Sequence, residues 1–418
     1  MDHPYYTAFI LVAGLIAGVL AQWRGWRPSL WTSLAVGVGL RLILLVFAAA
    51  DSWQPVDFYE GFRPAGFAIL HHQDPVLATQ GSWHFLPMIP YLYALTLAPG
   101  LPWEVAGRVW TLLADVVLIG LVGKLAGRKY GPMARFQYAT NPIALMVAVI
   151  HAQVEPVALV FLVGAYIVAR AARPADGLTS RGAMYAAWAG ALFGFALSAK
   201  SWPIVLLPVL LAMLPTWRQR LYGLCAAGAV PVFFLVTLPL VVDTSWKNML
   251  NVARYLGEVR PVVGEWGWTA VLTGGDEKLV PLAATIGQVI LYSTIALVMW
   301  LWWRSDRIDQ TSAILLAFMV VTPRMGSQYL LWFVPFLCAR PTRWSRPAMA
   351  LGAVWAGIGY IYLTQFGDNG WWTNHEWWSI SSIAVIPFLA LAMPWARRVP
   401  RPAGELSVSE TELVTATT

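Results

Sequence analysis

Apolar residues in this chain do not alternate with polar ones. They run nearly unbroken for roughly 15 to 24 positions at a time, the length a helix needs to cross a bilayer, with short polar stretches between them. This pattern predicts an all-α polytopic integral membrane protein of about 12–13 transmembrane helices. The first run, about residues 7 to 22, has no basic leader and no small-residue cleavage site, and reads as a retained helix. One segment departs from the pattern. "PMIPYLYALTLAPGLP", residues 87–102, carries four prolines and fits an interfacial helix, a re-entrant turn or a short span.

Composition sharpens the class. Of 418 residues, 58% are hydrophobic and 12% charged. Cys225 and Cys338 both fall inside apolar runs, so neither a disulfide framework nor a CxxC metal site is available. The net charge of +7 does not point to nucleic acid, because the basic residues sit in short clusters between apolar runs, where they act as topology signals. Placing Arg24 and Arg27, Arg128 and Lys129, Arg170 to Arg181, Arg218 and Arg220, Arg304 and Arg307, Arg340 to Arg346 and Arg397 to Arg401 in the cytoplasm threads the chain with its amino terminus outside. The expectation is a single transmembrane domain over residues 1–401 of a multi-pass protein of the cell (inner) membrane. A small, polar, acidic tail, 402–418, reads as disordered and cytoplasmic.

With that threading, the polar chemistry gathers on the outer face. Asp57, Glu60, His71, His72, Asp74 and His84 share a large first outer loop, 51–86; "HAQVE", His151 to Glu155, forms the next outer turn; Lys200 follows. The 243–279 loop and Arg324 with "GSQY" join the same side. Acidic loop residues are ordinary in any membrane protein. Lys200 and Arg324 are not ordinary, because each follows directly on an apolar helix on the side that the positive-inside tendency disfavours. Two such cations at headgroup level fit a lipid phosphate. A sugar carried on a polyprenyl phosphate leaves negative charge on that phosphate as its glycosidic bond breaks, which fixed cations would stabilise. A carboxylate facing the anomeric carbon would take the proton of the acceptor hydroxyl.

Four segments carry a resemblance to a known family: "VDFYEGFRPAGFAILHHQDPV" with "WHFLPMIPYLYAL", "NPIALMVAVIHAQVEPVAL", "LSAKSWPIVLLPVLL" and "TPRMGSQYLLWFVPF". Their order is similar to that of the GT-C glycosyltransferases, membrane enzymes using polyprenyl-phosphate sugars. It is closest to the mannosyltransferases of the GPI mannosyltransferase I and actinobacterial phosphatidylinositol-mannoside types. Asp57, Tyr59 and Asp74-Pro75 match the family pattern, whereas His72-Gln73 stands where a glycine is common and "HFLP" where Y-x-P-P is usual. The Ser327-to-Trp332 element is the most specific match. The resemblance implies a GT-C fold and an inverting transfer of a sugar, mannose foremost, from a polyprenyl-phosphate donor to a glycolipid or lipid-linked glycan acceptor outside the cytoplasm. It implies no cofactor. Asp57 would be the base, with Glu60 as its rival. Lys200 and Arg324 would bind the donor phosphate. Glu155 would orient acceptor or base, and His151, Gln153, Gln328 and Tyr329 would serve sugar or acceptor. Arabinofuranose as the donor sugar, and a protein or natural product as the acceptor, remain open within the same architecture.

Other features have competing readings. His71, His72, His84 and His151 with Asp74 offer metal-ligand chemistry, but their spacing matches no ligand motif, and no metal is expected. Most of the 24 tryptophans fall at helix ends, where indoles anchor at the headgroups. Trp266 and Trp268, beside Glu258, Arg260 and Glu265 in a long outer loop, suit either a sugar ring or anchoring. Arg41, Arg108 and Asp115 are costly in lipid and should face the bundle, Arg108 and Asp115, two turns apart on one helix, as structural ties. A lipid-linked-sugar flippase would share the outer cations and the many spans, but should carry polar or broken features at the midplane on a path reaching both sides.

Overall fold

The computed structural model describes residues 1–172, 179–248 and 263–397; Glu258, Arg260 and the 402–418 tail lie outside the described residues. Every regular element among the described residues is helical. Eight helices are long and apolar enough to cross a membrane: Pro4–Trp23, Leu30–Ala50, Trp103–Ala139, Ser180–Ala199, Trp217–Val241, Glu277–Leu301, Ser345–Phe366 and Thr373–Arg397. The chain is an all-α, multi-pass membrane protein. Further passes expected from the hydropathy pattern are shorter, as in Glu155–Ala171 and Arg307–Val321, or broken, as in 142–150, Trp202–Met213 and Ser327–Ala339. In the proline-rich segment the helix Met88–Leu97 has 10 residues, a rise of about 15 Å. That is half of the ~30 Å hydrocarbon thickness.

The longest helix is two arms. Gly127, at φ 78° and ψ 176°, holds a backbone conformation that is open in practice only to glycine, and there the chain folds back on itself. The arms are tied to the Leu30–Ala50 helix by a fully buried pair. Arg41 Nε donates to Asp115 Oδ2 at 2.6 Å and Nη1 to the Ala139 carbonyl at 2.8 Å, while the Tyr138 hydroxyl donates to the other Asp115 oxygen. Arg41 faces the bundle and Asp115 is a structural tie, as expected, and the two satisfy each other. Arg108, on the same helix as Asp115, has separate partners.

Two polar ends result. At one, Arg170 lies 3.7 Å from Asp306, Arg340 3.2 Å from Asp306 and 2.8 Å from Asp309, and Arg397 3.2 Å from Asp309. Arg170 also donates to the Leu125 carbonyl beside the Gly127 turn. Basic clusters from three places in the chain therefore meet at one end. At the other, the first loop is stitched to the end of the Trp217–Val241 helix. His72 Nδ1 bonds the Val241 carbonyl at 2.8 Å, Asp243 N–H donates to the His72 carbonyl at 2.7 Å, and the Thr244 hydroxyl donates to Asp74 at 3.1 Å.

Candidate active site

Asp57 owes its place to the residue after it. Phe58 is fully buried; its carbonyl accepts from Trp103 Nε1 at 3.1 Å, its ring stacks on Trp103 at 4.7 Å, and the Arg108 guanidinium lies 4.3 Å from the ring centre. A Cβ on Gly107 would come within 2.6 Å of that ring, so only glycine lets Phe58 sit so close to the helix. With Phe58 fixed inward at the start of a short π-helix, Asp57–Phe62, Asp57 points outward with 54% of its side-chain surface exposed.

The second element is a broken helix. Asn141 caps the amide N–H groups of Ile143 and Ala144, with Pro142 at the first helical position, a strong start signal. The helix runs out at Ile150, leaving carbonyls without helical partners. Three are met from the neighbouring helix. The Thr111 hydroxyl donates to Ala148 (3.0 Å), Arg108 Nε to Val149 (2.8 Å) and Arg108 Nη2 to Ile150 (3.3 Å). A fixed cation at a helix C-terminus is also favourable to its dipole. Arg108 Nη2 reaches Gln54 Oε1 as well, at 2.8 Å, so a single guanidinium joins the first loop to the second turn. Ala152, at φ 56°, reverses the chain, and Glu155 with Pro156 opens the next helix.

These supports bring five expected residues together. Gln153, fully buried, donates from Nε2 to Asp57 Oδ2 at 2.8 Å, and the same nitrogen lies 3.0 Å from His151 Nε2. His151 Nε2 is 3.9 Å from the Asp57 carboxylate. The other imidazole nitrogen bonds the Tyr360 hydroxyl, which also accepts from Ser327 Oγ at 2.6 Å. Glu155, fully buried, holds Lys200 Nζ at 3.3 Å from its Oε1, and that ammonium lies 4.5 Å from the centre of the Phe85 ring. Burial alone would lower the Lys200 pKa, but Glu155, Tyr329 and Asp57 outweigh it and raise it, so the group stays an ammonium. Burial and the nearby Lys200 hold His84 below its ordinary value; burial does the same to His151 against the pull of Asp57. Both rings are therefore neutral near pH 7.

The "SQYLLW" element packs alongside. Trp332 stacks on Trp202, two residues beyond Lys200, at 4.2 Å, and Tyr329 lies 4.4 Å from Trp332. Tyr329 is within electrostatic reach of Lys200, Glu155, Asp57 and Arg324. Arg324 is half-buried, with its Nε unpartnered. Gln328 is buried against Gly326. Glu60 is exposed and makes no polar contact among the described residues; in a π-helix of about 4.4 residues per turn, i and i+3 no longer share a face, unlike in an α-helix.

Several expectations meet a different geometry. His151 and Gln153, expected to bond sugar hydroxyls, direct the two imidazole nitrogens and the amide nitrogen at Asp57, Tyr360 and each other, while Gln153 Oε1 is buried without a partner. Trp266 has no exposed ring face for a sugar: it is fully buried, donates to the Met319 carbonyl at 2.7 Å and meets Trp355 edge-on. Trp268 is half-buried and donates to the Val321 carbonyl at 3.0 Å. Asp74 caps a helical turn and His72 holds the Val241 carbonyl. Among the described residues no group of three or more His, Cys, Asp or Glu side chains gathers to hold a metal. Two participants lack a clear mark in the sequence: Arg108 reads there only as a structural tie, and Tyr360 lies in an apolar helix whose pattern gives no sign of it.

A search of curated proteins finds no match to the chain. The model of glycosyltransferase family 87 matches residues 89–324, a stretch that includes the broken helix, His151 to Glu155, Lys200 and Arg324 and exceeds half of the 418 residues. On that match, the chain belongs to glycosyltransferase family 87, and it is a membrane glycosyltransferase acting on a sugar donor and an acceptor.

Proposed function

We propose that this enzyme transfers a sugar, mannose foremost, from a polyprenyl-phosphate carrier to a glycolipid or lipid-linked glycan on the extracytoplasmic face, by a single inverting displacement. The observation that carries the reading is the Asp57 carboxylate: exposed on one side, gripped by Gln153 at 2.8 Å on the other, and set beside the buried Lys200–Glu155 pair. In the reaction the acceptor hydroxyl attacks the anomeric carbon while the bond from that carbon to the phosphate oxygen breaks. The phosphate keeps the bonding electrons, and Asp57 takes the hydroxyl proton. Lys200 has three ammonium hydrogens; one faces Glu155 and two remain for a phosphate, with Arg324 supplying a second cation. Mannose and the polyprenyl carrier rest on the motif resemblance, and the outer location on the arginine clusters gathered at the opposite end.

The test is to incubate purified enzyme with radiolabelled polyprenyl-phosphate-mannose and an acceptor lipid extract. Label should pass into an α-linked product, and Asp57→Asn should lower the rate by at least about 100-fold, the usual worth of a general base. Retained transfer in Asp57→Asn refutes the assigned base. Translocation of the donor without a glycosidic product refutes the transfer reading.

A further inference from the structure

The helix Ser345–Phe366 lies beyond the matched stretch and contributes one hydroxyl to the site. We propose that Tyr360 is a positioning residue for the Asp57 carboxylate: acting through His151, it fixes the imidazole tautomer that keeps the Gln153 amide N–H turned toward Asp57. This rests on the reading of Asp57 as the base.

An ionised carboxylate only accepts, so the Gln153 atom 2.8 Å from Asp57 Oδ2 is the amide nitrogen. That nitrogen's second hydrogen is directed at His151 Nε2, 3.0 Å away, which must then be the unprotonated ring nitrogen. A neutral imidazole carries its one proton on the other nitrogen, so Nδ1–H donates to the Tyr360 oxygen. Ser327 Oγ, at 2.6 Å, holds that hydroxyl from the far side, and the ring of Tyr360 meets the imidazole edge-on at 5.1 Å. Remove the hydroxyl and Nδ1–H loses its acceptor, which removes the preference for this tautomer. In the other tautomer Nε2–H opposes the amide N–H, and relief comes by turning the amide over. Its oxygen Oε1, buried and without a partner, would then face the carboxylate. Asp57 would lose a hydrogen bond to its charged form and gain a repulsive neighbour; both make it harder to ionise. The other titratable groups around the relay are Lys200 and Arg108, which face His151, Lys200, His84 and Tyr329, which face Asp57, and Glu155, which faces Tyr360. None of these is altered by a change at Tyr360.

The experiment is a cycle of Tyr360→Phe, Gln153→Leu and the double variant, assayed for kcat and KM across pH with lipid-phosphate sugar. Tyr360→Phe keeps the ring packing, so the fold should survive; if it yields less protein, Gln153→Leu puts the same question at the other end of the relay. Loss of one hydrogen bond to a charged group predicts a fall in kcat of about tenfold. Donor KM should stay within about twofold, because substrate binding is untouched. The acid limb of the kcat profile should move to higher pH in both single variants, and the double variant should move no further than Gln153→Leu alone. A residue that only packs would lower thermal stability and leave that limb in place. An unmoved acid limb in Tyr360→Phe, or effects that add in the double variant, overturns the relay. Activity retained in Asp57→Asn overturns the parent reading instead, so the two failures are distinguishable.

Discussion

At the scale of single residues, the buried pair Lys200–Glu155 joins stability to the proposed phosphate binding. Lys200 is 8% exposed and Glu155 fully buried, so each charge depends on the other for compensation. Lys200→Met should destabilise the folded protein by about 3 kcal/mol, because it strands a buried carboxylate. Lys200→Met with Glu155→Gln should regain most of that loss while remaining inactive, because the phosphate-side cation is still missing. Unfolding in detergent measures the first quantity and radiolabel transfer the second; a double variant as unstable as Lys200→Met would show that the pair does not hold this region. Asp57, His151, Gln153, Glu155 and Lys200 could be found from sequence because a polar group between apolar runs is costly unless it has a task. Tyr360 could not, because "GIGYIYLTQF" reads as a helix face on which tyrosine counts as apolar. Trp266 misled for the opposite reason: an indole in an outer loop looks the same whether its N–H meets a sugar or the Met319 carbonyl.

At the scale of elements, the site depends on a helix that stops early. Residues 142–150 end where a continuous span would go on, and the unmet carbonyls are satisfied by Thr111 and Arg108 from the long helix. This break sets the sequence "HAQVE" at the level of the first loop instead of past it. The sequence signalled the start, in Asn141-Pro142, and the polar turn, but not the clamp, since Arg108 and Asp115 stand seven residues apart on one helix and suggest each other as partners. The partner of Asp115 is Arg41, from a helix distant in sequence, and such pairings have no local signature. Arg108→Lys should therefore be far from conservative. A lysine keeps the charge but not the fork that reaches Val149, Ile150 and Gln54 together. Losing two such bonds predicts about 2–3 kcal/mol of destabilisation and a lower kcat with little change in donor KM, as the Asp57 loop and the His151 turn drift apart. A kcat equal to the parent enzyme's in Arg108→Lys would mean that the clamp serves the fold alone.

At the scale of the whole molecule, the segregation of charge is what allows a membrane enzyme to have one working face. The arginines of the opposite end, Arg170, Arg340 and Arg397, are bound to Asp306 and Asp309, and that ion network closes the bundle where the positive-inside tendency places the cytoplasm. The carboxylate, the neutral histidines and the Lys200 pair lie at the other end, where a lipid-borne phosphate would meet them at headgroup level. Hydropathy made the helices legible and the arginines made the ends legible; the depth of each broken helix came only from tertiary contacts. The proposed sidedness has a direct consequence. Glu60 is exposed beside Asp57, and Pro341 is exposed between Arg340 and Arg343, so cysteines at these two positions report on opposite ends. In a Cys225→Ala background, which removes the exposed native thiol and keeps the buried Cys338, an impermeant maleimide added to intact cells should label Glu60→Cys. Pro341→Cys should react only after permeabilisation, because its thiol lies across the bilayer from the reagent. Labelling of Pro341→Cys alone would put the Asp57 carboxylate on the cytoplasmic face, where a donor with its phosphate in the outer leaflet could not reach it, and labelling of both from outside would mean that the two ends do not lie on opposite sides of the bilayer.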